Sequence, residues 1–222
     1  MTFIKICGIT NIEDARLAAE AGADLLGFIF YAKSPRYVMP SQVRAIVQSL
    51  KSEGARVTTV GVFVNTTPQE VIDTLHISEV DVAQLSGDER VEDLAQLERR
   101  GYKAVRSAEQ AQLVLQHRYA RPSNSMLPDL LLDANHPQLY GGSGMQADES
   151  LAGTLARECR LLLAGGLKPE NVVAAIEHVR PWGVDVSSGV EAAPGRKDPA
   201  RVRAFIQAVR GADTRMATPP TG

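Results

Sequence analysis

The chain has 222 residues, enough for one domain with a sizeable core. Hydrophobic residues make up 44% and charged residues 23%, with no low-complexity block, which excludes a wholly disordered chain. The formal net charge of -2 leaves no electrostatic footprint for nucleic acid, and no basic amphipathic stretch or long apolar run points to a membrane.

The segment from Met1 to Cys7 lacks an apolar run behind a basic one, so no signal peptide is expected. Residues 3–6 and 25–30 are the first two short apolar runs, followed by a helical stripe of Val43, Ile46, Val47 and Leu50 at i, i+3, i+4 and i+7. A third run spans residues 57–64. Thr67-Pro68-Gln69-Glu70 then combines a cap, a proline at the first helical position and a glutamate three after the cap. Further runs lie at residues 80–85 and 102–105. Residues 108–121 are compatible with a helix, although Arg121-Pro122-Ser123-Asn124-Ser125 reads as loop.

The last three runs are residues 130–132, 160–163 and 184–186. Lys168-Pro169 precedes a stripe of Val172, Val173, Ile176 and Val179, and Asp198-Pro199 precedes Val202, Phe205, Ile206 and Val209. Eight strands alternating with helices predict a parallel sheet, closed as a single (β/α)8 barrel over residues 1–210 and irregular around the fifth helix. No GxGxxG turn follows the first strand, as a dinucleotide-binding fold would require. Residues 211–222 are expected to form a flexible tail.

In such a barrel the chemistry sits where strands end at the C-terminal face. Those positions hold Cys7, the Ser34-Pro35-Arg36 loop, Gln84, Asp133 and two glycine turns, Ala164-Gly165-Gly166-Leu167 and Ser187-Ser188-Gly189-Val190. Glycine admits a close backbone approach and lets N–H groups face an anion, so the turns read as a phosphate grip; ordinary helix-capping turns are the alternative. Cys7 is a base or nucleophile if a positive environment favours its thiolate, and otherwise a small buried side chain. Asp133 ends an apolar strand, desolvated on one side, which suits proton donation as well as turn formation. Arg36 can fork onto a carboxylate or remain a solvated charge. Lys5 shares a strand face with Cys7; if that face is the interior, Asp185 on the last strand is its expected partner.

Cys7 and Cys159 have no metal-ligand spacing, and the four histidines, His76, His117, His136 and His178, match no metal motif. The expected molecule is a cytoplasmic, monomeric enzyme with reduced thiols, without cofactor or metal, acting on a small phosphorylated substrate. His136 is a loop residue that could touch such a ligand.

Taken together, Lys5-Ile-Cys-Gly-Ile-Thr10, Gly22-Ala-Asp-Leu-Leu-Gly-Phe-Ile-Phe30, Ser34-Pro-Arg-Tyr-Val38, Gly61-Val-Phe-Val-Asn65, Leu131-Leu-Asp-Ala134, Gly141-Gly-Ser-Gly144, Leu163-Ala-Gly-Gly-Leu167 and Gly183-Val-Asp-Val-Ser-Ser-Gly-Val-Glu191 resemble the phosphoribosylanthranilate isomerases of tryptophan biosynthesis. The resemblance implies an Amadori rearrangement with Asp133 as general acid and Cys7 as general base. By the same matching Arg36 holds the anthranilate carboxylate, Gln84 lies in the substrate site, and Gly165, Gly166, Ser188 and Gly189 hold the phosphate.

Two segments depart from the family pattern. Gln84-Leu-Ser86-Gly-Asp-Glu89 has serine where a histidine is usual, and Met145-Gln-Ala-Asp-Glu149 replaces a lysine and a Phe-Asp-Trp-like run. Both catalytic groups remain, so these changes bear on affinity and specificity. The alternatives are a barrel isomerase of a related phosphorylated aminoaldose, for which two aspartates would be expected, and a non-catalytic phosphate-binding barrel.

Overall fold

Side chains alternate along a strand, so runs that are apolar at every position must be buried on both faces. In a computed structural model, which describes residues 1–97, 100–117, 127–133 and 145–217, eight such runs form one closed parallel barrel in sequential order. The strands are β1 (Phe3–Cys7), β2 (Leu25–Ile29), β3 (Thr58–Phe63), β4 (Val82–Leu85), β5 (Gly101–Val105), β6 (Leu130–Asp133), β7 (Leu161–Ala164) and β8 (Gly183–Val186). Around them lie α1 (Ile12–Ala21), α2 (Pro40–Ser52), α3 (Pro68–Ser78), α4 (Ala108–Gln116), α5 (Met145–Glu158), α6 (Val172–Val179) and α7 (Pro199–Ala217). A short hairpin, β9 (Glu191–Ala193) and β10 (Arg196–Lys197), follows β8.

Leu25, Val60, Val82, Tyr102, Leu131 and Leu162 point inward and fill the barrel. The intervening residues, among them Ile4, Ile6, Leu26, Phe28, Val184 and Val186, pack outward under the helices. Leu130, Leu132, Leu161 and Leu163 do the same against α4 and α5. At the N-terminal rim three aspartates pin neighbouring strands: Asp24 accepts from Ile4 N at 2.8 Å, Asp81 from Thr59 N at 2.8 Å and Asp129 from Arg160 N at 2.9 Å. The seam between β1 and β8 is closed there by Phe3 and Trp182, whose rings stack with centroids 4.2 Å apart.

The helix signals resolve as their chemistry requires. Thr67 caps α3 in a reciprocal arrangement with Glu70, and Asp198 Oδ1 accepts from Ala200 N and Arg201 N at the start of α7. The fourth unit is irregular, and the irregularity expected around the fifth helix falls partly on residues outside those described. Among the described residues between β4 and β5 the chain makes a 3-10 segment (Val91–Leu97), whereas α4 forms with Ser107 as its cap. Residues 118–126, which include the loop-like stretch after α4, lie outside the described residues.

The last helix runs past residue 210. α7 continues to Ala217 because Ala212 is fully buried and Asp213 accepts from Thr2 N (2.8 Å) and Thr2 Oγ1 (2.7 Å), docking these turns on the start of β1. Residues 218–222 lie outside the described residues, as do His136 and the Gly141–Gly144 segment.

Candidate active site

Alternation on β1 turns Lys5 and Cys7 into the barrel, between outward-facing Ile4 and Ile6. Lys5 is fully buried, and its ammonium donates to Asp185 Oδ1 at 2.9 Å across the β1–β8 seam, the expected partner. Burial alone would pull the Lys5 pKa down; the adjacent Asp185 charge, with smaller help from Cys7 and Tyr102, outweighs it, and the net displacement is upward. Cys7 lies one layer higher. A β-carbon at residue 27 would stand 2.7 Å from the Cys7 sulfur, so Gly27 is what leaves room for the thiol. Burial pushes the thiol up from its ordinary value, and the Lys5 ammonium only partly offsets this.

Gly8, at φ +77°, follows directly, and a β-carbon there would come 2.6 Å from Arg36 Cδ. The stem of Arg36 therefore crosses the end of β1 beside Cys7. Its guanidinium is gripped by Glu191: Nε donates to Oε1 at 2.8 Å and Nη2 to Oε2 at 2.7 Å. Lys197 in turn donates to Glu191 Oε1 at 3.0 Å, to the Cys7 carbonyl at 2.6 Å and to the Ser187 carbonyl at 3.2 Å. Burial raises the Glu191 pKa, but the hydrogen bond from Arg36 and the charge of Lys197 more than reverse this, holding the carboxyl below its usual range.

On the facing wall Asp133 ends β6 in register with Ala164 of β7. It shares the inward phase of Leu131, as the alternation Leu130, Leu131, Leu132 demands. Gln84, one residue before the end of β4, has the inward phase of Val82. Its Oε1 accepts from the Tyr102 hydroxyl at 2.8 Å and its Nε2 donates to Ser86 Oγ at 3.0 Å. Both ends of this amide are thus engaged within the barrel, and Ser86, standing where the family pattern has histidine, is one of its partners.

The two glycine turns meet. Gly165 and Gly166 take left-handed backbone, φ 106° and 63°, and Asn171 braces their loop by donating to Gly166 O at 3.0 Å. A β-carbon on Gly189 would overlap the carbonyl oxygen of Leu167, so the 3-10 turn Ser188–Val190 lies backbone against backbone on the β7–α6 loop. Ser187 Oγ, beside Gly8 and Arg36, is buried and lacks a hydrogen-bond partner among the described residues.

Comparison with known proteins places the chain in a family. A family model described as N-(5'-phosphoribosyl)anthranilate (PRA) isomerase matches residues 4–208. The chain belongs to the phosphoribosylanthranilate isomerase family. Among isomerases of this name, the one from Geobacter sulfurreducens is 46% identical over 211 residues, covering 95% of this chain and 100% of the relative. The crystal structure of phosphoribosylanthranilate isomerase from Thermotoga maritima superimposes with a TM-score of 0.80 at 42% identity, covering 95% of this chain and 100% of that one. A solved isomerase at 39% identity and a TM-score of 0.79, with the same coverage, holds reduced 1-(o-carboxyphenylamino)-1-deoxyribulose 5-phosphate. A further Thermotoga maritima structure, 38% identical with a TM-score of 0.75 and covering 95% and 100% of the two chains, is of monomers generated from a dimeric isomerase.

The isomerase barrel therefore brings Cys7, Arg36 and the Ser188–Gly189 turn together through β1 and β8, with Gly165 and Gly166 alongside; Gln84 lies one residue before the end of β4, and Asp133 ends β6. Sequence reasoning named Ser187 only as part of its glycine turn, and missed Ser187 as a buried hydroxyl beside Arg36 together with Glu191 and Lys197. The signal available for the last two was an acid and a base flanking the Pro194-Gly195 turn directly after β8. No helix among the described residues is long and apolar enough to cross a membrane.

Proposed function

We propose that the chain converts N-(5-phosphoribosyl)anthranilate to 1-(2-carboxyphenylamino)-1-deoxyribulose 5-phosphate, an Amadori rearrangement in tryptophan biosynthesis. The observation that carries the reading is one barrel mouth with a buried thiol ending β1, a carboxyl ending β6 and two abutting glycine turns after β7 and β8. Asp133 gives a proton to the furanose ring oxygen as the C1–O bond breaks, and the amine lone pair forms the C1=N bond. Cys7, as thiolate, takes the proton from C2; the released electron pair forms C1=C2 and the imine electrons return to nitrogen. Protonation at C1 and loss of the enol proton give the ketone, so the atoms balance with one acid and one base. Arg36 meets the anthranilate carboxylate, Gln84 contributes to the substrate wall, and Gly165, Gly166, Ser188 and Gly189 hold the phosphate. Cys7 at the end of β1 disfavours the two-aspartate alternative.

The test is loss of anthranilate-type fluorescence when the protein meets freshly generated phosphoribosylanthranilate, with the product's mass confirming isomerisation. No conversion by folded protein would overturn the reading. Burial pushes the Cys7 thiol up from its ordinary value, with the Lys5 ammonium partly offsetting it, and Cys7→Ala should lower kcat by about 10²-fold or more if the thiolate takes the C2 proton. A near-normal kcat in that variant removes Cys7 as the base. The proposed protein is cytoplasmic, where its thiols stay reduced, and monomeric, because every named site residue belongs to one barrel. Light scattering should then give the mass of one 23.9 kDa chain; twice that value refutes the monomer.

A further inference from the structure

Arg36 and Glu191 are 155 residues apart in sequence, yet they make two parallel N–H···O bonds. These consume Nε–H and one hydrogen of Nη2, leaving three of the five guanidinium donors on the Nη1/Nη2 edge. The Arg36 side chain is 21% exposed and that of Glu191 only 5%, so the open side of the pair is guanidinium. Taken alone the pair is neutral and offers an incoming carboxylate little net attraction. Lys197 changes that balance: it is fully buried, and its three N–H donors have three oxygen acceptors, on Glu191, Cys7 and Ser187. Arg36, Glu191 and Lys197 together carry one net positive charge, held away from solvent screening.

The hairpin that carries Glu191 and Lys197 is itself anchored, at its turn and on β10. Gly195 O accepts from Thr10 Oγ1 at 2.6 Å, and Lys197 N donates to Asp14 Oδ2 at 2.9 Å. The clamp therefore spans the loops after β1, β2 and β8.

We propose that Glu191 and Lys197 are positioning residues for carboxylate recognition: Glu191 fixes one edge of Arg36 so that the other edge is presented to the substrate, and Lys197 supplies the charge that keeps the assembly attractive. This rests on the reading of Arg36 as the carboxylate contact. It makes the β9–β10 hairpin a specificity element for an ortho-carboxylated aromatic amine.

The experiment compares binding of reduced 1-(o-carboxyphenylamino)-1-deoxyribulose 5-phosphate with that of its analogue lacking the carboxylate, in wild type, Arg36→Met, Glu191→Gln, Lys197→Gln and the Arg36→Met/Glu191→Gln pair. Glu191→Gln and Lys197→Gln should each weaken the carboxylated ligand about tenfold and leave the other within about twofold, with KM rising and kcat nearly steady. The double variant should bind like Arg36→Met alone, because Glu191 acts through Arg36. Equal weakening of both ligands, or losses that multiply in the double variant, overturns the positioning role. Arg36→Met with unaltered preference for the carboxylate would instead remove Arg36 as the contact, a distinguishable failure. Should Glu191→Gln not fold, the Lys197→Gln result decides by the same two-ligand comparison.

Discussion

Asp133→Asn should lower kcat by about 10²-fold or more while KM stays within a few-fold, the signature of a lost proton donor. Asparagine keeps the shape of the side chain and can still donate a hydrogen bond, but it has no proton to give to the ring oxygen. The position itself is not at risk. Residue 133 is held by its register with Ala164, and its neighbours Leu130, Leu131 and Leu132 are buried to within a few percent. The melting temperature should accordingly be unchanged, so a fall in turnover would report chemistry. Steady-state kinetics on freshly generated substrate is the measurement, and near-normal kcat would take the acid role away from Asp133.

The second large effect is on stability. Lys5→Met should destabilise the fold by about 3–5 kcal/mol, because it leaves Asp185 charged and unpaired beneath the mouth. For a chain of this size that corresponds to a melting temperature lower by about 10 °C. Burial disfavours the ammonium, yet the Asp185 charge holds its pKa above the ordinary lysine value. The contribution is therefore complete below about pH 10 and is lost only as the solution becomes more alkaline than that. Thermal melts at neutral pH test it directly, with Lys5→Met/Asp185→Asn alongside. The double variant should recover part of the loss, since the orphaned carboxylate is gone. An unchanged melting temperature for Lys5→Met would mean that the pair is energetically neutral.

The barrel was legible because its signals are local. Runs such as Leu130-Leu131-Leu132 and caps such as Thr67-Pro68 or Asp198-Pro199 declare an element from within a few residues. Lys5–Asp185 was legible for a different reason: closure of eight strands places the last beside the first, so an inward lysine on β1 looks to β8 for its charge. The residues at the strand ends that became candidates, Cys7, Gln84 and Asp133, follow from the same rule.

What escaped were contacts decided between loops. Nothing near Arg36 announces Glu191, and nothing near Cys7 announces that Lys197 will hold its carbonyl. The fourth unit shows another limit. Residues 91–97 carry acceptable helix formers, but the loop before them is bound to its neighbours by Lys103, which donates to Gly87 O at 2.6 Å and Glu89 Oε2 at 2.7 Å, and residues 91–97 form a 3-10 segment. The overrun of α7 past residue 210 likewise depends on Asp213 finding Thr2, 211 residues away in the chain.

Trp182 is the chain's one tryptophan, and it lies on Phe3 at the end of the barrel remote from Cys7 and Asp133. The molecule thus contains a native optical probe of ring closure, since these two rings can stack only when the first and last strands have met. Because that pairing spans most of the polypeptide, it belongs among the contacts with the greatest loop-closure cost during folding. In a stopped-flow record, indole emission would time the sealing of the barrel, and a bound anthranilate-type fluorophore would time completion of the mouth. Any lag between the two would order the assembly of the opposite ends.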